Sequence, residues 1–202
     1  MGRRSSHTPE QLRELILEVS TKMISDEGIV AFSAREVARQ IGYSPGTIYN
    51  VFHNLDELLL IIEGRLLDEL AVDLDKVSSE LSISDKVLAL AHTYLNFTAT
   101  KPKLWNLLFE HHLQDEANVP DWYRQKLDGL MSKFIDAILP LMPSSSGIEV
   151  KRSAHVLWAG LHGISSLATA HKLTNITSES AVMLVDHLVC TFLAGLKNST
   201  DL

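Results

Sequence analysis

Between Ser44 and His53 the chain reads SPGTIYNVFH, with polar side chains grouped around Ile48 and Phe52. Thr47, Tyr49, Asn50 and His53 can give or accept hydrogen bonds, which is the chemistry needed to meet phosphate oxygens and base edges. Ser44, Pro45 and Gly46 open the same segment, and Gly46 has no side chain to hold a close-approaching backbone away. Arg35 stands at the start of the preceding segment, where a guanidinium suits phosphate or, bidentate, a guanine edge. Asn50 suits adenine in the same way. A core helix of this length would carry several large aliphatic residues instead.

The surrounding sequence supplies elements that hold these groups outward. Ser33 and Glu36 stand at capping-box spacing, and Val37, Ala38 and Ile41 follow at helical spacing. Gly42 then permits a left-handed turn, and Ser44-Pro45 restarts a helix with serine as N-cap and proline at the first helical position. Two short helices joined through a glycine turn make a helix-turn-helix, whose second helix enters the DNA major groove. A first helix from Thr8-Pro9 to Asp26 presents Leu12, Leu15, Ile16, Val19 and Met23 on the face that packs against this pair.

The order Gly28, Phe32, Ser33, Val37, Ala38, Gly42, Ser44, Gly46, Thr47, Ile48, Tyr49 and Phe52, followed by DELL at 56–59, resembles the TetR family of transcriptional regulators. The resemblance implies a three-helix DNA-binding domain over residues 1–54 and a helical ligand-binding and dimerisation domain over 55–202. It also implies phosphate contacts from Thr47 and Tyr49. One departure stands out: the family often has a cation opening the fourth helix, and here that residue is Leu55, preceded by Asn54, a good N-cap. The segment LWAGLHGISSLA, with Trp158, His162 and Gly163, is similar to a TetR-like C-terminal subset named for a tryptophan and a His-Gly pair.

The remaining sequence agrees with an all-α fold of about nine helices. The fourth runs from about 56 to 76, and further helices fall near 84–100, 103–116, 120–140, 148–173 and 178–197. Breaks come at Lys101-Pro102, Val119-Pro120, the serine loop from Pro143 to Gly147 and Thr174-Asn175. The net charge of −7 falls entirely on residues from 54 onward, because residues 1–53 carry six basic and six acidic side chains. The reading head is therefore neutral, and its affinity for DNA should be modest without sequence recognition and should fall with salt. Arg3 and Arg4 form a basic arm that could enter a minor groove.

Leu157, Gly160, Leu161, Ile164 and Ala168 share one helix face, and Val185, Leu188, Val189, Phe192 and Leu196 repeat the pattern on the next. These two stripes are expected to form a homodimer seam as a four-helix bundle, which would also pair two recognition helices for a near-palindromic operator. Trp105, Phe109, His112, Met131, Phe134, Trp158 and His162 are candidates to line a site for a small apolar or aromatic effector. Packing within the core explains the same aromatic and methionine spacing.

Two other readings have less support in the sequence. His112 with Glu116, or His111 with Asp115, stands at the i,i+4 spacing of a metal-responsive regulator, but no second motif completes four-coordination. A helical enzyme has less behind it: no phosphate loop, nucleophile elbow or paired-carboxylate arrangement appears. No cofactor is implied. Cys190 is the only cysteine, so it allows no internal disulfide. With no apolar stretch of membrane-spanning length and no signal peptide at the start, a cytoplasmic protein is expected.

Overall fold

The computed structural model describes residues 7–113 and 119–199, with nine α-helices and no strand among them. The arginine arm at Arg3 and Arg4, and the acids Asp115 and Glu116, lie outside the described residues. Two compact units are formed: Met1–Leu66 with Lys101–Tyr123, and Leu67–Thr100 with Arg124–Leu202. They cut the chain differently from a linear division near residue 54.

In the first unit, α1 (Pro9–Glu27), α2 (Ala34–Ile41) and α3 (Pro45–Val51) are followed by α4 (Leu55–Asp75), which belongs to this unit as far as Leu66. Thr8 caps α1 through a full capping box with Gln11, and Pro9 occupies the first turn where its missing N–H is harmless. The core is made by Leu12, Ile16, Met23, Ile24, Val37, Ala38, Ile48, Phe52, Leu58 and Ile62, all buried. After α5 (Ile83–Thr100), the chain returns to this unit in α6 (Pro102–Glu110), which packs on α1 and buries Leu104, Trp105 and Leu107. Lys103 donates to the carbonyl of Asp26 at the end of α1, and Arg65 grips Glu14 with two bonds of 2.5 and 2.7 Å.

In the second unit, α5 packs against both α8 (Gly147–Thr169) and α9 (Ala181–Ser199), which also pack on each other. Along α7 (Asp121–Ile138), Lys126 pairs with Asp68 and Lys133 with Asp75. Seven residues separate the members on each helix, so here α7 runs parallel to the second half of α4. Ser146 and Glu149 form a complete capping box at the start of α8, a device hidden in what reads as a low-complexity serine loop.

Three expectations need correction. The helix expected over 103–116 stops at Glu110, because His111 leaves the helical conformation (φ −78°, ψ 115°) and turns its ring into the unit. The helix expected to reach 173 ends at Thr169, where His171 takes a left-handed φ of 54° and the amide of Lys172 closes back on Leu167. Of the ten residues assigned to the dimer seam, Leu157, Leu161, Val185, Val189 and Leu196 are buried within one chain, and the other five are half-buried. α5, which packs on both helices, buries Val87, Leu90, Ala91 and Tyr94, and α8 and α9 also pack on each other. No helix among the described residues is long and apolar enough to cross a membrane.

Candidate nucleic-acid interface

The short α2–α3 pair is fixed by local chemistry. Ser33 Oγ accepts from the Glu36 amide at 3.2 Å, but the reciprocal half of the expected capping box is missing. Glu36 instead binds Arg39 and Gln40 one turn on, and these partners lower its carboxyl to about 2. Gly42 closes α2 at φ 75°, ψ 29°, with the Tyr43 amide reaching Ala38 O at 2.9 Å and its own amide reaching Arg39 O at 3.4 Å. A side chain would resist that left-handed conformation. Ser44 makes no side-chain cap to a backbone amide. Its hydroxyl lies 3.1 Å from Thr47 Oγ1 instead, joining two hydroxyls at the start of α3.

One buried anchor, Ile48, roots α3, and Phe52 follows at its exit. Of the rest of the helix, Thr47 and Val51 are half-buried and the other residues face outward. Ser44, Pro45, Gly46, Asn50 and His53 are exposed, Tyr49 is 52% exposed, and Thr47 is half-buried. Arg35 is exposed on the first turn of α2 and makes no ion pair among the described residues. The eight residues read as a DNA-contacting set therefore occupy one continuous stretch of chain, apart from Arg35.

The residues that hold α3 in place were harder to see in the sequence. Arg13 on α1 lies over the Phe52 ring, 4.3 Å from its centroid, while Nη1 donates to Val51 O at 3.1 Å and Nη2 to Glu57 Oε1 at 3.2 Å. Glu57 Oε2 accepts the backbone amide of His53 at 2.7 Å, and Asn54 Oδ1 accepts that of Glu57 at 2.7 Å. The exit of α3 and the start of α4 are thus held as one piece. His7 and Tyr43 add a hydrogen bond of 2.8 Å between the entry to α1 and the turn.

The candidate effector residues divide between the two units. In the first, Trp105 is buried with its ring tilted against Phe109, which is 41% exposed. His112 is exposed and lies beyond the end of α6, so the helical spacing that paired it with Glu116 for a metal does not hold. In the second, Phe134 is buried and Met131 half-buried. Trp158 stacks on His162 with centroids 5.5 Å apart and planes 12° from parallel. His162 Nδ1 lies 3.0 Å from the buried Tyr94 hydroxyl, and burial pushes its pKa down, favouring the neutral ring. A separate open groove of about 370 Å³ in this unit is lined by Asp73, Lys76, Val77, Thr93, Asn96, Phe97 and Thr100, none of which the sequence singles out.

Comparison with known proteins decides what kind of head this is. Residues 16–62 match the bacterial regulatory proteins of the tetR family, and residues 87–192 match the tetracyclin repressor-like C-terminal domain. The chain belongs to the TetR family. The HTH-type transcriptional regulator Rv1816 of Mycobacterium tuberculosis is 26% identical over 188 residues, spanning 78% of this chain and 80% of the relative. A tetR-family transcriptional regulator from Streptomyces coelicolor shares the fold at a TM-score of 0.69 and 16% identity, over 99% of this chain and 85% of that one. FadR from Bacillus subtilis, solved in complex with stearoyl-CoA, gives 0.66 at 14% identity, over 90% and 98%. At these identities the structural likeness is one of fold. This TetR-family member is accordingly a DNA-binding transcriptional regulator.

Proposed function

We propose that this regulator is a homodimeric repressor that holds a near-palindromic operator and releases it when a small apolar or aromatic molecule binds. The observation that carries the DNA reading is the exposure of Tyr49, with half-buried Thr47 beside it, on a seven-residue helix whose one fully buried side chain is Ile48. On this reading Thr47, Tyr49 and His53 meet phosphates. Ser44, Pro45, Gly46 and Asn50 approach base edges, and Arg35 takes either role. The functional division is a DNA-binding domain over 1–54 and an effector and dimerisation domain over 55–202, in a cytoplasmic protein.

Two features support the dimer. The outer face of α8 carries Val156, Ala159 and Gly163, and that of α9 carries Met183, Cys190 and Ala194; Val156 and Met183 are 60% and 56% exposed. A Cβ on Gly163 would meet nothing within 4 Å, so this part of α8 offers room for a second backbone. Two recognition helices set about 34–36 Å apart meet successive major grooves.

For the effector, the reading favours Met131, Phe134, Trp158 and His162, which fall in one unit and combine apolar surface with a half-buried, neutral imidazole. The likeness of the Trp158–Gly163 segment to the tryptophan and His-Gly subset points the same way. Trp105, Phe109 and His112 then serve the first unit. A ligand releases DNA only by binding one arrangement better than the other, and moving a population from about 1:99 to 99:1 needs roughly 10⁴-fold preference.

The deciding test is a gel shift on DNA flanking the gene, repeated across salt concentrations, with sedimentation of the free protein and of the complex. Two protomers bound to one palindromic duplex, with affinity falling steeply in salt, is the expected result. A monomer that binds no duplex would sink the proposal.

A further inference from the structure

A buried charged cluster lies in the first unit and has no part in the reading so far. Glu63 sits in the apolar stripe of α4 with its side chain 3% exposed, and His111 at the end of α6 is 5% exposed. His111 Nδ1 lies 2.6 Å from Glu63 Oε1 and Nε2 lies 3.2 Å from Asp56 Oδ1. Tyr123, at the start of α7, donates to the other Glu63 oxygen at 2.6 Å, and burial beside that carboxylate pushes the phenol pKa up.

The geometry sets the protonation state of the ring. A carboxylate can only accept, and a neutral imidazole can donate from one nitrogen alone. With a carboxylate against each nitrogen, a neutral His111 would leave one lone pair facing another. An imidazolium satisfies both contacts and neutralises part of a charge buried away from water, which is costly to leave uncompensated.

Asp56 is also the neighbour of Glu57, in the first turn of α4. While Asp56 faces His111, Glu57 holds the His53 amide and Arg13, and Arg13 holds Val51 and Phe52. Two sets of hydrogen bonds, joined by the peptide between Asp56 and Glu57, therefore link the end of α6, through one turn of α4, to the exit of the recognition helix.

We propose that His111, bridging Glu63 and Asp56, is a positioning residue for DNA binding: it fixes the first turn of α4 and, through that turn, the end of α3. This rests on the recognition-helix reading above. Burial is the largest single influence on the His111 ring and lowers its pKa. The hydrogen bonds and charges of Glu63 and Asp56 together outweigh it, so the pKa is raised. The charged groups acting on the ring are these two from α4, with Tyr123 of α7 reaching it through Glu63 and Glu110 and His112 as its chain neighbours. The positioning effect is therefore complete below about pH 6.5 and is lost as pH rises through the raised folded value.

The test uses the full chain and a duplex selected from random-sequence DNA by the unsubstituted protein. Affinity is measured from about pH 6 to about pH 9, with a melting curve at each pH. His111→Gln should bind about tenfold more weakly at the acid end, with the salt slope unchanged because no phosphate contact is lost. The gap should close toward the alkaline end, and referring each value to the variant cancels what other histidines contribute. Glu63→Gln keeps one of the two acceptor oxygens and the shape but removes the charge, so its loss of affinity should begin at lower pH than in the unsubstituted protein. A folded His111→Gln with unaltered affinity, or a gap constant across the range, overturns the proposal. If His111→Gln fails to fold, a Glu63→Gln profile that superimposes on the unsubstituted one overturns it. An unsubstituted protein that selects no duplex overturns the recognition-helix reading as well.

Discussion

The guanidinium of Arg13 lies over Phe52, 4.3 Å from the ring centroid, with one nitrogen donating to the last carbonyl of α3. This links α1 to α3 through a cation over a ring face, a carbonyl and the Glu57 carboxylate at once. Lysine cannot reproduce a planar three-way contact. Arg13→Lys is expected to weaken binding to every duplex by about 0.5–2 kcal/mol, the range of a partly desolvated cation–π contact. Because Arg13 serves the protein and not the phosphates, the slope of log affinity against log salt should not change. A slope reduced by about one would mean that Arg13 neutralises a phosphate after all.

Tyr49 and Asn50 are neighbours on α3 with different expected signatures. Removing the Tyr49 hydroxyl with Tyr49→Phe takes away a bond to a charged oxygen, about 1.5–3 kcal/mol, and should do so equally on all sequences. Asn50→Ala should lose about 1–3 kcal/mol on the preferred operator and relax selection at one base pair. Binding-site selection with each variant separates the two. Uniform loss for Asn50→Ala would move it to the phosphate-contacting class, and unchanged binding for Tyr49→Phe would remove it from that class.

How much of this was legible beforehand depended on how local each signal was. The α2 and α3 boundaries could be read because Ser33, Gly42 and Pro45 act on their own backbone within a few residues. The end of α6 could not, because the group His111 turns to meet is Glu63, 48 residues earlier in the chain. Glu63 did leave a trace. It shares a helix face with Leu59, Leu66 and Leu70, and a carboxylate among those leucines needs a buried partner. The α8 and α9 stripes were recognised as apolar, but periodicity does not say what covers a stripe. Here α5 supplies the cover within one chain. Arg13 leaves no mark in the sequence because its contacts are with a ring and a carbonyl far along the chain.

Gly42 and Gly46, four residues apart, should respond oppositely to alanine. Gly42 adopts φ 75°, where a Cβ is strained by about 1–2 kcal/mol, so Gly42→Ala should lower the melting temperature. Gly46 lies in a helix with its nearest neighbour, Ser44 Oγ, 3.7 Å from a built Cβ. Gly46→Ala should hold or raise stability by up to about 1 kcal/mol, since alanine is the better helix former. If α3 approaches DNA as proposed, the same methyl should reduce operator affinity. A Gly46→Ala protein with full affinity would show that this end of α3 stands clear of the duplex.

His162 sets a pH dependence of opposite sign to that of His111. Burial lowers its folded pKa, so between that value and the ordinary one near 6.5 the unfolded chain holds more protons. Stability from this group is present above about pH 6.5 and falls as the medium becomes more acid. Stacking of a protonated ring on Trp158 offsets part of the loss. Melting temperatures of the unsubstituted protein and of His162→Gln should converge as pH drops through this window. Parallel curves would show that the ring titrates alike in both states.

Gly160 and Gly163 on α8 test the packing of one chain and of two. A Cβ on Gly160 would lie 2.8 Å from Leu188 Cδ2, whereas one on Gly163 would meet nothing within 4 Å. Gly160→Leu therefore forces α8 from α9 inside the protomer and should destabilise it by about 1–3 kcal/mol, as overpacking does. Pairing it with Leu188→Ala should recover part of that loss, a coupling that a double-mutant cycle reads directly. Gly163→Leu should leave the melting of a dilute protomer nearly unaltered. If the outer face of α8 seats a second copy, the added side chain should weaken association, seen as a shift to slower sedimentation and a loss of affinity for a two-half-site duplex. A Gly163→Leu protein that sediments and binds like the original would place the twofold contact on another face.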